Sequence, residues 1–213
     1  MAQHVAIEGP IGVGKTTLVN SFKEKMGTRA VFDEFDNPFL EDFYKDRPHS
    51  AFRTQMYFLI ARFEQQIEMG AILQNGPTVV CDYLFARDKI FAYVNLDDQE
   101  LLIYDRYFAA LSKYVSTPDL VVYLKAPREV LQERVRKRNV RYEAMISERY
   151  LDELIEAYDH FFYHYKETPL LIVDTAEIDF VENPEDLRAL MQRILGDNIR
   201  GLQYYHPVRR RRK

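Results

Sequence analysis

The sequence predicts an α/β fold, a three-layer sandwich with a five-stranded parallel sheet and helices on both faces. Two patterns point to it. Short apolar runs of strand type alternate with longer segments of helical periodicity along the 213 residues. The runs HVAIE (4–8), TVVCDYLF (78–85), DLVVYLK (119–125) and LLIVD (170–174) are apolar enough for burial on both faces, as strands of a parallel sheet require. A third observation narrows the type. Residues 9–16 read GPIGVGKT and sit between the first strand and a helix, which makes this a P-loop sandwich.

Each element has its own signal. GPIGVGKT fits GxxxxGK(S/T), with Gly9, Gly14, Lys15 and Thr16 at the required spacing and Gly12, Val13 and Thr17 completing the loop. Glycines let the backbone take positive φ and approach an anion, and the following helix aims its N-terminus at phosphate. In TTLVNSFKEKM (16–26), Leu18, Val19, Phe22 and Met26 share one helical face. AVFDEFDNPFLEDFYKD (30–46) reads as a strand ending near Asp33 and Glu34, a turn at Asn37-Pro38 and a short aromatic helix. A long helix follows over 50–74, stopped by Asn75-Gly76-Pro77, with Phe52, Met56, Leu59 and Phe63 as its core stripe. Gln55 and Arg62 lie seven residues apart, two turns, and so share a different face. The third strand places Asp82 near its C-terminal end. Helices are expected over 86–95 and 98–116, then strand 119–125, helix 127–138, a helix from near Ser147, strand 170–174 and helix 185–195. The expected domain spans 1–202, with a lid at about 134–146 and a basic tail at 203–213.

Composition excludes several classes. A net charge of −4 supplies no global basic field for nucleic acid, and no apolar run approaches the ~18 residues of a membrane span. Position 1 leads straight into the first strand, and the single cysteine, Cys81, forms no intramolecular disulfide. A soluble, cytoplasmic protein is expected.

The loop alone does not separate a switch GTPase, a motor ATPase and a small-molecule kinase. The guanine-reading N-K-x-D pattern is missing, and a single carboxylate, Asp82, ends an apolar strand. It can take a proton from an alcohol while helping to hold Mg²⁺, although a helix N-cap would use the same residue. Arg134, Arg136, Lys137, Arg138 and Arg141 supply cations for a migrating phosphoryl group, or simply complement a helix C-terminus. Read alone, Glu143 is equally a surface glutamate. His160 and His164 stand one turn apart with no third ligand and read as helix surface.

Taken in order, HVAIEGPIGVGKTT, NPFLEDFY, AFRTQMYFLIAR, CDYLFARDKIFA, VVYLKAP, the arginine cluster and DFVENPEDL make the chain similar to the deoxynucleoside kinases, in particular their bacterial deoxyadenosine/deoxyguanosine branch. The resemblance covers nearly the whole chain. It implies ATP as phosphoryl donor with Mg²⁺, a deoxynucleoside acceptor and a homodimer formed through helix packing, for which 101–115 is the candidate surface. By the same resemblance Asp82 is the acid that activates the 5′-hydroxyl, and Glu34 is the carboxylate close to it. Tyr44 and Glu143 hold the sugar 3′-hydroxyl, and Gln55 reads the base edge. Arg62 and Asp88 lie beyond the base and favour purine or cytosine over thymine. Arg134 and Arg138 belong to the lid, Asp179 and Phe180 cradle the donor adenine, and Thr16 with Asp82 holds the metal. The residues agree on chemistry: an amide can pair bidentately with a purine edge, and Phe39, Phe58, Tyr83 and Phe85 offer stacking faces.

Two departures stand out. Tyr83 follows Asp82 where the animal members have arginine, so Arg87 or a lid arginine has to supply that charge. Arg138-Asn139-Val140-Arg141 replaces the usual Arg-Gly-Arg. The expectation is therefore a deoxynucleoside 5′-kinase preferring deoxyadenosine or deoxyguanosine. Its rivals are a nucleoside monophosphate kinase, which would need extra cations for an acceptor phosphate, and a non-catalytic kinase-like subunit.

Overall fold

The computed structural model describes residues 3–74, 76–138, 146–196 and 199–207. Strands β1 (His4–Glu8), β2 (Arg29–Val31), β3 (Val79–Cys81), β4 (Leu120–Lys125), β5 (Leu170–Asp174) and β6 (Leu202–Tyr205) form one sheet in the order β2-β3-β1-β4-β5-β6. Every pairing is parallel, with Ala6 opposite Cys81 on one side and Val121 on the other. Among the described residues the sheet therefore has six strands where the sequence predicts five. The extra one, β6, pairs Val173 with Tyr205 and takes up three residues of the expected tail. LQYY is a short edge strand whose Leu202 and Tyr204 stay exposed, so it lacks the continuous apolar run that marks the inner strands.

The helices are α1 (Lys15–Met26), α2 (Leu40–Tyr44), α3 (Ser50–Leu73), α4 (Arg87–Asn95), α5 (Asp98–Leu111), α6 (Arg128–Arg138), α7 (Glu148–His164) and α8 (Pro184–Gly196). Their starts follow local chemistry. Asp97 and Glu100 form a reciprocal capping box on α5, and the Ser147 hydroxyl accepts the Tyr150 N–H to begin α7. α5 is shorter than the expected 98–116 because the chain tightens into a 3-10 turn at Ser112–Tyr114.

Strand alternation divides the core. Val5, Ile7, Val80, Val122 and Leu171 pack with Val19 and Phe22 of α1 and Leu190 of α8 on one face. Ala6, Val121, Tyr123 and Ile172 pack with Tyr158 and Phe162 of α7 on the other. β1 is buried along its whole length because both its faces are covered. The chain reaches β2 and β3 on one side of β1 and β4 to β6 on the other. A crevice therefore opens at the C-terminal edge of β1, the usual ligand position in such sheets.

Candidate active site

A cavity of about 1200 Å³ lies along that edge, lined from Gly12 of the glycine loop to Tyr44, Gln55 and Arg62 at the far end. The loop needs its glycines. Gly14 has φ +103°, and a Cβ there would sit 2.7 Å from the Phe180 ring. Lys15 opens α1, and its Nζ donates to the carbonyls of Gly9 at 2.7 Å and Pro10 at 3.2 Å. Burial, aided by the nearby Arg87 charge, brings the Lys15 ammonium down to about 8. Anionic phosphates would favour the charged form again.

Thr16 Oγ1 donates to Asp82 Oδ2 at 2.6 Å, and the Asp33 backbone N–H donates to Asp82 Oδ1 at 2.7 Å. Asp82 is the first residue after β3, which ends at Cys81, earlier than its sequence suggests. A hydroxyl and a carboxylate oxygen in contact at the foot of a phosphate loop are hard donors that fit Mg²⁺.

Beside the glycine loop, Thr17, Arg134 and Asp179 line the cavity. Arg134 spends its donors on the protein itself: Nη1 on the Val13 carbonyl and Thr175 Oγ1, Nη2 on the carbonyls of Thr175 and Ile178. It thus ties the glycine loop to the segment after β5. Phe180 does not line the cavity; its ring is buried against Gly14. Arg138 ends α6, and its side chain lies outside the described residues, as do Arg141 and Glu143.

Toward α2 and α3 the cavity is lined by Glu34, Tyr44, Gln55, Phe58, Arg62 and Arg87. The α3 spacing brings Gln55 and Arg62 to one wall. Arg62 stacks over Phe58 at 4.7 Å, donates Nε and Nη2 to Asp33 at 2.7 and 3.0 Å, and pairs through Nη1 with Asp88. Asp88 is fully buried behind Arg62, away from the cavity lining, and its backbone carbonyl accepts Gln55 Nε2 at 3.4 Å. Burial pushes the Asp88 carboxyl up to about 6, more than Arg62 draws it down. Burial also opposes the Asp33 charge, but Arg62 and Arg87 hold that carboxyl well below its usual range. Phe85 is absent from the cavity lining. It belongs to the apolar cluster of Leu59, Ala92 and Tyr104 and stacks on Phe108 at 5.3 Å.

The sequence gives Asp33 only as an acid at a strand end and does not single out Phe43, Phe91, Asn95 or Tyr150, yet all of them line the cavity. Two carried a usable signal: Asp33 adjoins Glu34 at a strand end, and Phe91 is one turn beyond Arg87 on the same helix face. Tyr150, on α7, carried none.

A profile of the deoxynucleoside kinase family matches residues 5–199. The chain belongs to the deoxynucleoside kinase family. It is thereby an ATP-dependent phosphotransferase. It is 32% identical over 195 residues to deoxyguanosine kinase of Bacillus subtilis, covering 89% of this chain and 94% of the relative. It is 36% identical over 164 residues to deoxyadenosine kinase of Dictyostelium discoideum, covering 74% and 66%. Deoxyadenosine kinase from M. mycoides with bound dATP superposes with a TM-score of 0.74 at 25% identity, covering 89% of this kinase and 97% of that chain. No described helix of the kinase is long and apolar enough to cross a membrane.

Proposed function

We propose that this kinase transfers the γ-phosphoryl group of ATP to the 5′-hydroxyl of a purine deoxynucleoside. Deoxycytidine is the next acceptor and thymidine a poor one. Such an enzyme returns free deoxynucleosides to the nucleotide pool of the cytoplasm. The observation that carries the base preference is the wall formed by Gln55 and Arg62. An amide offers one donor and one acceptor to a purine edge, and a guanidinium held by Asp33 and Asp88 only donates, which suits a base with acceptor atoms there. Tyr44, with Glu143 in the lid, takes the sugar 3′-hydroxyl, and Phe58 offers a stacking face.

Thr16 and Asp82 are the residues that would hold Mg²⁺, which supplies charge neutralisation of the polyphosphate when bound. Lys15 and the lid cations Arg134 and Arg138 balance the charge on the transferring group, and Asp179 borders the donor base. Asp82 accepts the 5′-hydroxyl proton. A second reading gives that proton to Glu34. It is favoured by Asp82 already accepting one hydrogen bond on each oxygen, while Glu34 lies on the cavity wall.

The kinase is expected to work as a homodimer through α5, whose Leu102, Ile103 and Tyr107 are exposed. Leu102→Glu should convert a dimer to a monomer by light scattering; a monomeric wild-type protein would refute the interface.

Incubation with Mg²⁺-ATP and each of the four deoxynucleosides tests the main reading. Deoxyadenosine or deoxyguanosine should be phosphorylated at least tenfold faster than thymidine. A thymidine preference would discard the Gln55–Arg62 assignment. No product from any nucleoside, in protein that binds ATP, would point to another acceptor or to a non-catalytic role.

A further inference from the structure

Glu8 ends β1, has no exposed surface, and joins four segments of the chain. Its Oε1 accepts the Gly9 N–H at 2.9 Å and the Tyr158 hydroxyl of α7 at 3.0 Å. Its Oε2 accepts the Leu84 N–H at 2.8 Å. Arg87 Nε stands 3.8 Å from Oε1, and Arg87 Nη1 is 2.6 Å from Asp33 Oδ2; both are ion pairs in which the guanidinium nitrogen makes no hydrogen bond.

The Gly9 and Leu84 N–H groups donate to different oxygens of Glu8, so the site needs two acceptors, of which a neutral amide supplies one. A buried carboxylate is costly unless a cation compensates it. Arg87 is the cation paired with Glu8, and its side chain also lines the cavity. The residue after Asp82 cannot take that part: Tyr83 is fully buried and its hydroxyl accepts Gln66 Nε2 at 2.9 Å.

We propose that Glu8 is a positioning residue for phosphoryl transfer, its charge clamping Arg87 from one side while Asp33 holds it from the other. Arg87 is thereby fixed at the head of the transfer site, beside Asp82 and Lys15. The same carboxylate fastens α7, the helix that follows the lid, to the first glycine of the phosphate loop. A guanidinium flanked by two carboxylates does not have to be reorganised when charge develops on the transferring group. This inference rests on Arg87 serving as the cation that residue 83 does not provide.

Two substitutions, each combined with Arg87→Ala, test the clamp. Glu8→Gln keeps the volume but loses the charge and one of the two acceptor oxygens; Glu8→Asp keeps the charge on a shorter arm. In steady-state kinetics with a purine deoxynucleoside, Glu8→Gln should lower kcat at least tenfold, with both KM values within about threefold of wild type. Glu8→Asp should retain more turnover than Glu8→Gln, although it fits the site less well. Arg87→Ala should lower kcat strongly by itself, and adding Glu8→Gln to it should change kcat by less than about twofold, because the clamp then has nothing to hold. Wild-type kcat in Glu8→Gln, greater loss in Glu8→Asp than in Glu8→Gln, or multiplicative effects of Glu8→Gln and Arg87→Ala would each overturn the proposal. If Glu8→Gln does not fold, Glu8→Asp replaces it in the cycle with Arg87→Ala: loss of its effect in that background supports the clamp, and an undiminished effect refutes it. Wild-type turnover in Arg87→Ala would instead remove the role of Arg87, whatever Glu8 does.

Discussion

Asp82→Asn is expected to lower kcat by about 10² to 10⁴, the range for loss of a positioned acid–base group, with the Kd for nucleoside within a few-fold of wild type. The substitution keeps an oxygen for the Asp33 N–H or the Thr16 hydroxyl but not an acceptor for both. Magnesium titration then distinguishes its two roles. If Asp82 chiefly serves the metal with Thr16, the Mg²⁺ concentration for half-activation rises steeply in the variant. If Asp82 takes the proton, that concentration is unchanged and only kcat falls. Glu34→Gln completes the comparison: a fall of at least a hundredfold there, with Asp82→Asn showing the metal defect, assigns the proton to Glu34. Near-normal turnover in Asp82→Asn would remove Asp82 from the chemistry.

Arg62→Ala is expected to cost about 3–5 kcal/mol of stability at pH 7, the penalty for breaking a buried ion pair from one side. Asp33 loses its bidentate partner, and Asp88, fully buried, loses the guanidinium beside it. The pH dependence has a definite sign. The folded Asp88 carboxyl sits at about 6, above its unfolded value, so the folded state gains relative stability as pH falls through 6. Asp33 behaves oppositely in the wild type: its depressed value contributes stability above its unfolded range, and that is lost only in strong acid. Without Arg62 both carboxyls can be neutralised by protons more readily. The deficit of the variant, read from denaturant unfolding, should therefore shrink between pH 7 and pH 5. An equal deficit at both values would mean that packing on Phe58, and not charge, is what Arg62 contributes.

Much of this site is legible in the chain because its determinants are local. GPIGVGKT needs only its own glycines and the helix behind it to form a phosphate cradle, and helical phase alone places Gln55 and Arg62 on one wall. Apolar runs announce β1, β4 and β5 because strands covered on both faces cannot be mixed in composition. Phe58 and Phe85 show the limit of that reasoning. Both are aromatic and both read as stacking candidates, yet one faces the cavity and the other packs on Phe108.

What the tertiary structure alone decided is which distant groups meet. Edge strand β6 exists because β5 offers it a free ladder, not because LQYY announces itself. Asp33, neighbour to the expected Glu34, becomes the partner of both Arg62 and Arg87 only when α3 and α4 close over the end of β2. Glu8 looks like the ordinary end of a strand until Tyr158, 150 residues away, donates to it. Sequence periodicity records which face of an element is buried; the pairing of buried charges depends on contacts between elements, and no local pattern encodes those.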